Sequence, residues 1–346
     1  MVGDEHEDAV LTRRIGFATG YDPRLDVRSF ARLVRQVEER GYELAFFSET
    51  FWLMRDSVTA TAAFGLATER IRLGFTQVVR LRSPVTMAQT LASLDELTAG
   101  RVVLCPGACT ANHARRFGLP PVDPLGALRE WVEAIRLVLT GEKVRYKGQF
   151  VELDDVQLGF QPFRRQVPLW IAATGPRGLR LAGELGDGVL LNTVASPEYS
   201  FNAIRVVREA AERAGRDWST FEVAQLINTS VEDDRDAAID AVRWEVASKF
   251  VPASFSRQAG PRMRVGEPSI DPTELPRLNE AYERNGPEGL AKALPASWIE
   301  GLTATGTPEE ARRRVGRYRE AGVRLPILRP AAAHQTERVI ELFAPR

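Results

Sequence analysis

The residues best suited to chemistry stand where short apolar runs give way to polar turns. Glu49 follows Leu44-Ala45-Phe46-Phe47-Ser48, a run that reads as a buried strand. A carboxyl at such a strand end is partly desolvated, which raises its pKa and suits it to acid/base work. A plain hydrogen bond from a backbone amide or a bound molecule to Glu49 is the alternative. Thr50 adds a hydroxyl, which without a nearby base cannot take a proton near neutral pH as histidine does. Phe51 and Trp52 come next and suit a substrate wall beside a flat ring system, with core packing as the alternative.

A second chemical segment is Ile171-Ala172-Ala173-Thr174-Gly175-Pro176-Arg177-Gly178-Leu179. An apolar strand runs into a turn of small residues, and a helical pattern starts at once. Backbone amides at a helix start lack intrahelical partners, and the helix dipole adds partial positive charge, so the turn predicts an anion site that Arg177 would reinforce. An ordinary tight turn is the competing reading. Cys105 and Cys109 are the only cysteines and have C-x3-C spacing, with His113 the only histidine nearby. Neither a structural zinc site nor any other metal site is expected from that set.

Bulk properties exclude several classes. The 346 residues carry 46 Lys plus Arg and 46 Asp plus Glu, a formal net charge of zero. That balance gives no long-range positive field for nucleic acid. No apolar run approaches the roughly 18 residues of a membrane span. The N-terminal MVGDEHEDAV is acidic and lacks the pattern of a signal peptide, so the expected location is cytoplasmic.

The elements that must position these residues alternate regularly. Strands are predicted at 14–17, 44–48, 71–75, 101–104, 168–172, 188–191, from 221 and at 325–328. Helical patterns lie between them, Pro84 opens one of these helices, and Gly41 and Gly100 follow two. Residues 143–158 read as a hairpin excursion. This βα alternation predicts an α/β fold, a (β/α)8 TIM barrel in one domain over 1–346, with a doubly wound open sheet as the competitor. Residues 250–300 break the rhythm with prolines, glycines and no clear strand. Phe250, Phe255, Met263, Leu275, Tyr282 and Trp298 there supply apolar anchors for a lid or an oligomer contact before the last βα unit.

Three blocks carry a family resemblance: residues 82–108, RSPVTMAQTLASLDELTAGRVVLCPGA; 168–193, PLWIAATGPRGLRLAGELGDGVLLNT; and 306–330, GTPEEARRRVGRYREAGVRLPILRP. Together they resemble the luciferase-like superfamily, and the middle block is similar to its F420-dependent methylenetetrahydromethanopterin reductases. The resemblance implies that Thr174, Gly175, Pro176, Arg177 and Gly178 hold the phosphate-bearing tail of coenzyme F420. It implies that Phe75, Thr76, Gln77 and Val78 lie behind the ring, with a cis Thr76–Gln77 bond. Thr110 stands near the cofactor where relatives often place an acid, and His113 falls to the substrate side. Where the reductases usually read Asp-His, this chain has Glu49-Thr50, so a different substrate is expected. The implied activity is F420-dependent hydride transfer to or from a small imine, enone or alcohol. The alternatives are an FMN-dependent monooxygenase and a non-catalytic flavin-binding relative, and homodimers are the family norm.

Overall fold

The computed structural model describes residues 14–49, 54–255 and 259–345. Strands β1 (Gly16–Thr19), β2 (Leu44–Phe47), β3 (Arg72–Val78) and β4 (Val102–Gly107) are followed by a hairpin, β5 (Val144–Lys147) and β6 (Glu152–Val156). Then come β7 (Trp170–Ala173), β8 (Gly188–Leu191), β9 (Glu222–Val231), the short β10 (Ala304–Gly306) and β11 (Leu325–Pro330). Pairing runs β1-β2-β3-β4-β7-β8-β9-β11 and back to β1, all parallel, so eight strands close a (β/α)8 barrel and the open sheet is ruled out. β10 adds to the far end of β9, outside the ring.

Around the barrel pack α1 (Val27–Glu39), α2 (Ser57–Ala67), α3 (Pro84–Leu97), α4 (Ala111–Arg116), α5 (Pro124–Leu139), α6 (Pro176–Leu185), α7 (Pro197–Arg213) and α8 (Arg235–Ala247). Local signals explain their starts. Asp26, Ser83, Asp123 and Asp234 each cap a helix by accepting a first-turn amide. Gly41 and Gly100 adopt φ of 84° and 82°, the left-handed backbone that ends a helix cheaply only in glycine.

Alternation along each strand sorts side chains into two sets. Leu44, Phe46, Cys105, Trp170, Leu226 and Ile327 point inward and fill the barrel. Ala45, Phe47, Leu73, Phe75, Leu104 and Ile171 point outward to the helices. Phe75 is therefore not a cofactor contact, because the period of two aims its ring at the helical layer. Thr76–Gln77 is trans, correcting the cis bond implied by the resemblance. β3 keeps an unbroken parallel register through that bond, with Thr76 opposite Cys105 and Gln77 opposite Pro106.

The insertion is helical: α9 (Pro252–Phe255), α10 (Ala259–Met263), α11 (Leu275–Ala293) and α12 (Ala296–Leu302). Phe250 and Trp298, with ring centroids 5.1 Å apart, anchor its own apolar cluster against α8, and Phe255, Met263, Leu275 and Tyr282 pack on it. Helices α13 (Pro308–Glu320) and α14 (Thr336–Phe343) complete the wall. Among the described residues no helix is long and apolar enough to cross a membrane.

Candidate active site

Parallel strands bring their C-terminal ends to one rim, and the inward positions there form the mouth of the barrel. Counting by twos from the core places Ser48, Thr76, Gly107, Thr174, Asn192, Asn228 and Arg329 at that level.

Glu49 stands beside the rim in a polar cluster. Its backbone amide donates to Thr76 Oγ1 at 2.5 Å. Its Oε2 accepts from Ser57 Oγ at 3.2 Å and from Gln77 Nε2. Gln77 also donates to Ser57 Oγ at 2.6 Å, and Ser57 reaches the carbonyl of Thr76 at 3.2 Å. Burial is the largest influence on the Glu49 carboxyl and pushes it up to about 7, against the opposing bonds from Ser57 and Gln77 and the charge of Arg82. A carboxyl in this setting keeps its proton to higher pH than an exposed one. The buried Gln77 side chain is spent on Glu49 and Ser57, so it holds the acid and is not turned to a cofactor. Val78 is half-buried at the strand end against the outer core. Thr50, Phe51 and Trp52 lie outside the described residues.

The turn at 174–178 lies on the same rim. Gly175 is the N-cap of α6 and gives no side-chain cap, and Pro176 has no amide proton, so the amides of Arg177 and Gly178 are left open to an anion. The Arg177 guanidinium is 73 % exposed and 3.9 Å from Asp123, so this residue offers the turn its backbone rather than its charge. Two contacts fix the turn. The buried Tyr199 hydroxyl donates to the Thr174 carbonyl at 2.7 Å. Pro261 of α10 sits so close that a Cβ added at Gly175 would lie 3.3 Å from it. Nearby, Arg262 donates to the Thr193 carbonyl at 2.7 Å, and the amide of Ser196 donates to Glu267 at 2.8 Å. The insertion is thus pinned over the ends of β7 and β8.

Thr110 is the N-cap of α4, accepting from the His113 amide, and its Oγ1 lies 3.3 Å from His113 Nδ1. Both residues sit at the β4 rim, occupied with each other.

The opposite side of the mouth holds residues that the sequence reading passed over. The Arg329 guanidinium lies 3.8 Å from the Tyr21 ring centroid and donates to Asn228 Oδ1 at 3.1 Å. It pairs with Glu245 at 2.8 Å, and Lys249 pairs with the same carboxylate at 2.7 Å. Burial would raise Glu245, but the two cations overcome it and hold the carboxyl down to about 2. Tyr21 and Ser48 share a 2.6 Å hydrogen bond. The signal for Arg329 was present: Leu325 and Ile327 set an inward alternation that its position continues.

Eight parallel strands with a near-neutral acid and an open helix start on one rim define a barrel enzyme. The luciferase-like monooxygenase family model matches residues 10–325, so the chain belongs to that family and is an oxidoreductase. The 5,10-methylenetetrahydromethanopterin reductase of Archaeoglobus fulgidus is 29% identical over 310 residues, covering 89% of this chain and 91% of that protein. The F420-dependent glucose-6-phosphate dehydrogenase of Nakamurella multipartita is 26% identical over 327 residues, covering 90% and 89%. Among solved structures, the F420-dependent tetrahydromethanopterin reductase from Methanopyrus kandleri superposes with a TM-score of 0.80 at 23% identity, covering 96% and 97%. A monooxygenase from Streptomyces bottropensis gives a TM-score of 0.68 at 19% identity, covering 96% and 97%, a likeness of fold.

Proposed function

We propose that this protein is an F420-dependent oxidoreductase acting on a small imine, enone or alcohol. The observation that carries the reading is the uncapped start of α6 at Gly175, on the same rim as Glu49. Two backbone amides and a helix dipole fit the phosphate of a cofactor tail. The apolar floor of Phe46, Cys105, Ala172 and Leu190 below the mouth fits a flat ring. The relatives named for F420 support the deazaflavin over FMN.

In this reading Thr174, Gly175, Pro176 and the amides of Arg177 and Gly178 bind the tail, while Thr76 and Thr110 border the ring. The deazaflavin, when bound, supplies hydride exchange with a carbon of the substrate. The chain supplies the proton: Glu49 Oε2 gives or takes it as charge develops on the substrate's oxygen or nitrogen. Gln77 and Ser57 keep that oxygen fixed in either protonation state. The docked segment 259–267 closes the β7–β8 side of the mouth against water.

Calorimetric titration with F420, and separately with oxidised and reduced FMN, tests the cofactor. The expected result is binding of F420 with FMN ignored. Preference for reduced FMN would make the protein a monooxygenase of the same family.

A further inference from the structure

The polar side of the mouth across from Thr76 and Gly107 has a feature that the proton relay leaves unused. Asn228 is 1 % exposed, and its Nδ2 has no hydrogen-bond partner among the described residues. Arg329 spends Nη1 and Nη2 on Asn228 and Glu245, while its buried Nε has no partner among the described residues either. Both side chains extend inward alternations, Ala224-Leu226 into Asn228 on β9 and Leu325-Ile327 into Arg329 on β11. These strands are adjacent, with Asn228 in register with Arg329. Two donors unsatisfied among the described residues therefore stand on neighbouring strands at the level of the mouth. Native proteins rarely leave such groups without an acceptor, which ordered water, an ion or a ligand supplies.

The charges point the same way. Arg329 and Lys249 share the single carboxylate of Glu245, leaving one positive charge in excess in a largely buried group. The flanking Tyr21 ring is neutral, and its hydroxyl is engaged by Ser48. An amide or ketone offers one acceptor oxygen and no charge. A carboxylate offers two oxygens, one for each orphan donor, and balances the excess.

We propose that Asn228 Nδ2 and Arg329 Nε form a carboxylate-binding pole, so that the substrate is a small organic acid held by its carboxylate. This rests on the proposed function only in taking the mouth as the substrate chamber. In the ring of eight strands β9 and β11 stand across from β3 and β4, and β2 with Glu49 lies two places from β11. A substrate anchored at Asn228 and Arg329 thus presents the rest of its skeleton across the mouth towards the ends of β3 and β4.

The test is calorimetric titration of the full chain with benzoate and with benzamide, a pair matched in shape, both without cofactor and after saturation with F420. The expected result is benzoate binding at least tenfold tighter than benzamide in both forms. Asn228→Asp keeps the oxygen that Arg329 donates to and replaces the free donor by an anion, so the preference should vanish. Asn228→Ala, with folding checked by thermal melting, should weaken benzoate without affecting benzamide. Equal binding of the two probes by the unmodified chain overturns the proposal, as does a preference that survives in Asn228→Asp. Displacement of benzoate by F420 also overturns it, by assigning the donors to the cofactor. If F420 does not bind at all, the cofactor reading fails alone, and the cofactor-free titration still decides the carboxylate pole.

Discussion

Glu49 shows how a single residue's surroundings set its chemistry. Burial raises its carboxyl from an ordinary 4.5 to about 7, so the folded chain holds this proton more tightly than the unfolded chain does. The sign follows from linkage: with respect to Glu49, stability is greatest below about pH 4.5 and falls as pH rises towards 7. Above 7 the full cost of a buried anion remains. Allowing for partial exposure, that cost is on the order of 1–2 kcal/mol. Glu49→Gln should therefore be more stable than the unmodified chain at pH 8 and indistinguishable from it at pH 4.5, read by denaturant melts. The same variant should lose most turnover while still binding F420. Gln77 opposes the burial effect by donating to Glu49, so Gln77→Leu should move the Glu49 limb of the pH–rate profile to higher pH. An unmoved limb would separate Glu49 from the proton step.

At the scale of elements, the α6 turn depends on neighbours from distant sequence. Tyr199 on α7 holds the Thr174 carbonyl, and losing one buried hydrogen bond costs about 1 kcal/mol. Tyr199→Phe should thus lower the melting temperature by a few degrees and, by loosening the turn, weaken F420 binding several-fold in a titration. Trp298→Ala should act on the insertion instead. The cavity it leaves beside Phe250 costs about 3–5 kcal/mol, so segment 250–302 should exchange amide protons faster while the barrel strands keep their protection. Elements of this kind were largely legible beforehand. Leu44–Phe47 and Val102–Gly107 announce themselves as apolar runs, and Pro84, Gly41 and Gly100 mark helix ends by backbone chemistry. Ala304–Gly306 was not legible, because three small or polar residues carry no period and gain their strand form from β9. The site divides along the same line. Glu49 and the 174–178 turn are local signals, readable from a run and its end. Asn228 and Arg329 matter through a pairing across 101 residues of chain, and their importance appears only when the barrel closes.

For the whole molecule, closure separates two poles with different work. The strand starts carry an ion cluster: Arg14 bridges Glu43 and Glu222 at 2.7 Å each, and Arg72 joins the same two acids at 3.0 and 3.4 Å. Arg72 also covers the face of Trp170, 4.9 Å from its centroid, at the floor of the barrel core. This cluster ties β1, β2, β3 and β9 together across the barrel end, and the strand lengths keep it apart from the mouth. A (β/α)8 barrel uses its strand starts for stability and its strand ends for chemistry. Glu222→Gln removes a charge facing two arginines in a partly buried setting, which should cost about 1–2 kcal/mol. Melting temperature should fall, with F420 affinity, benzoate affinity and turnover unchanged at a temperature where the variant is folded. Asn228→Asp should show the converse, altered ligand binding with a smaller loss of stability, since it reverses a donor that no described residue uses. If Glu222→Gln changed ligand affinity as well, the two ends of the barrel would be coupled through its core layers. The mouth would then be tuned by the floor beneath it as well as by its own rim.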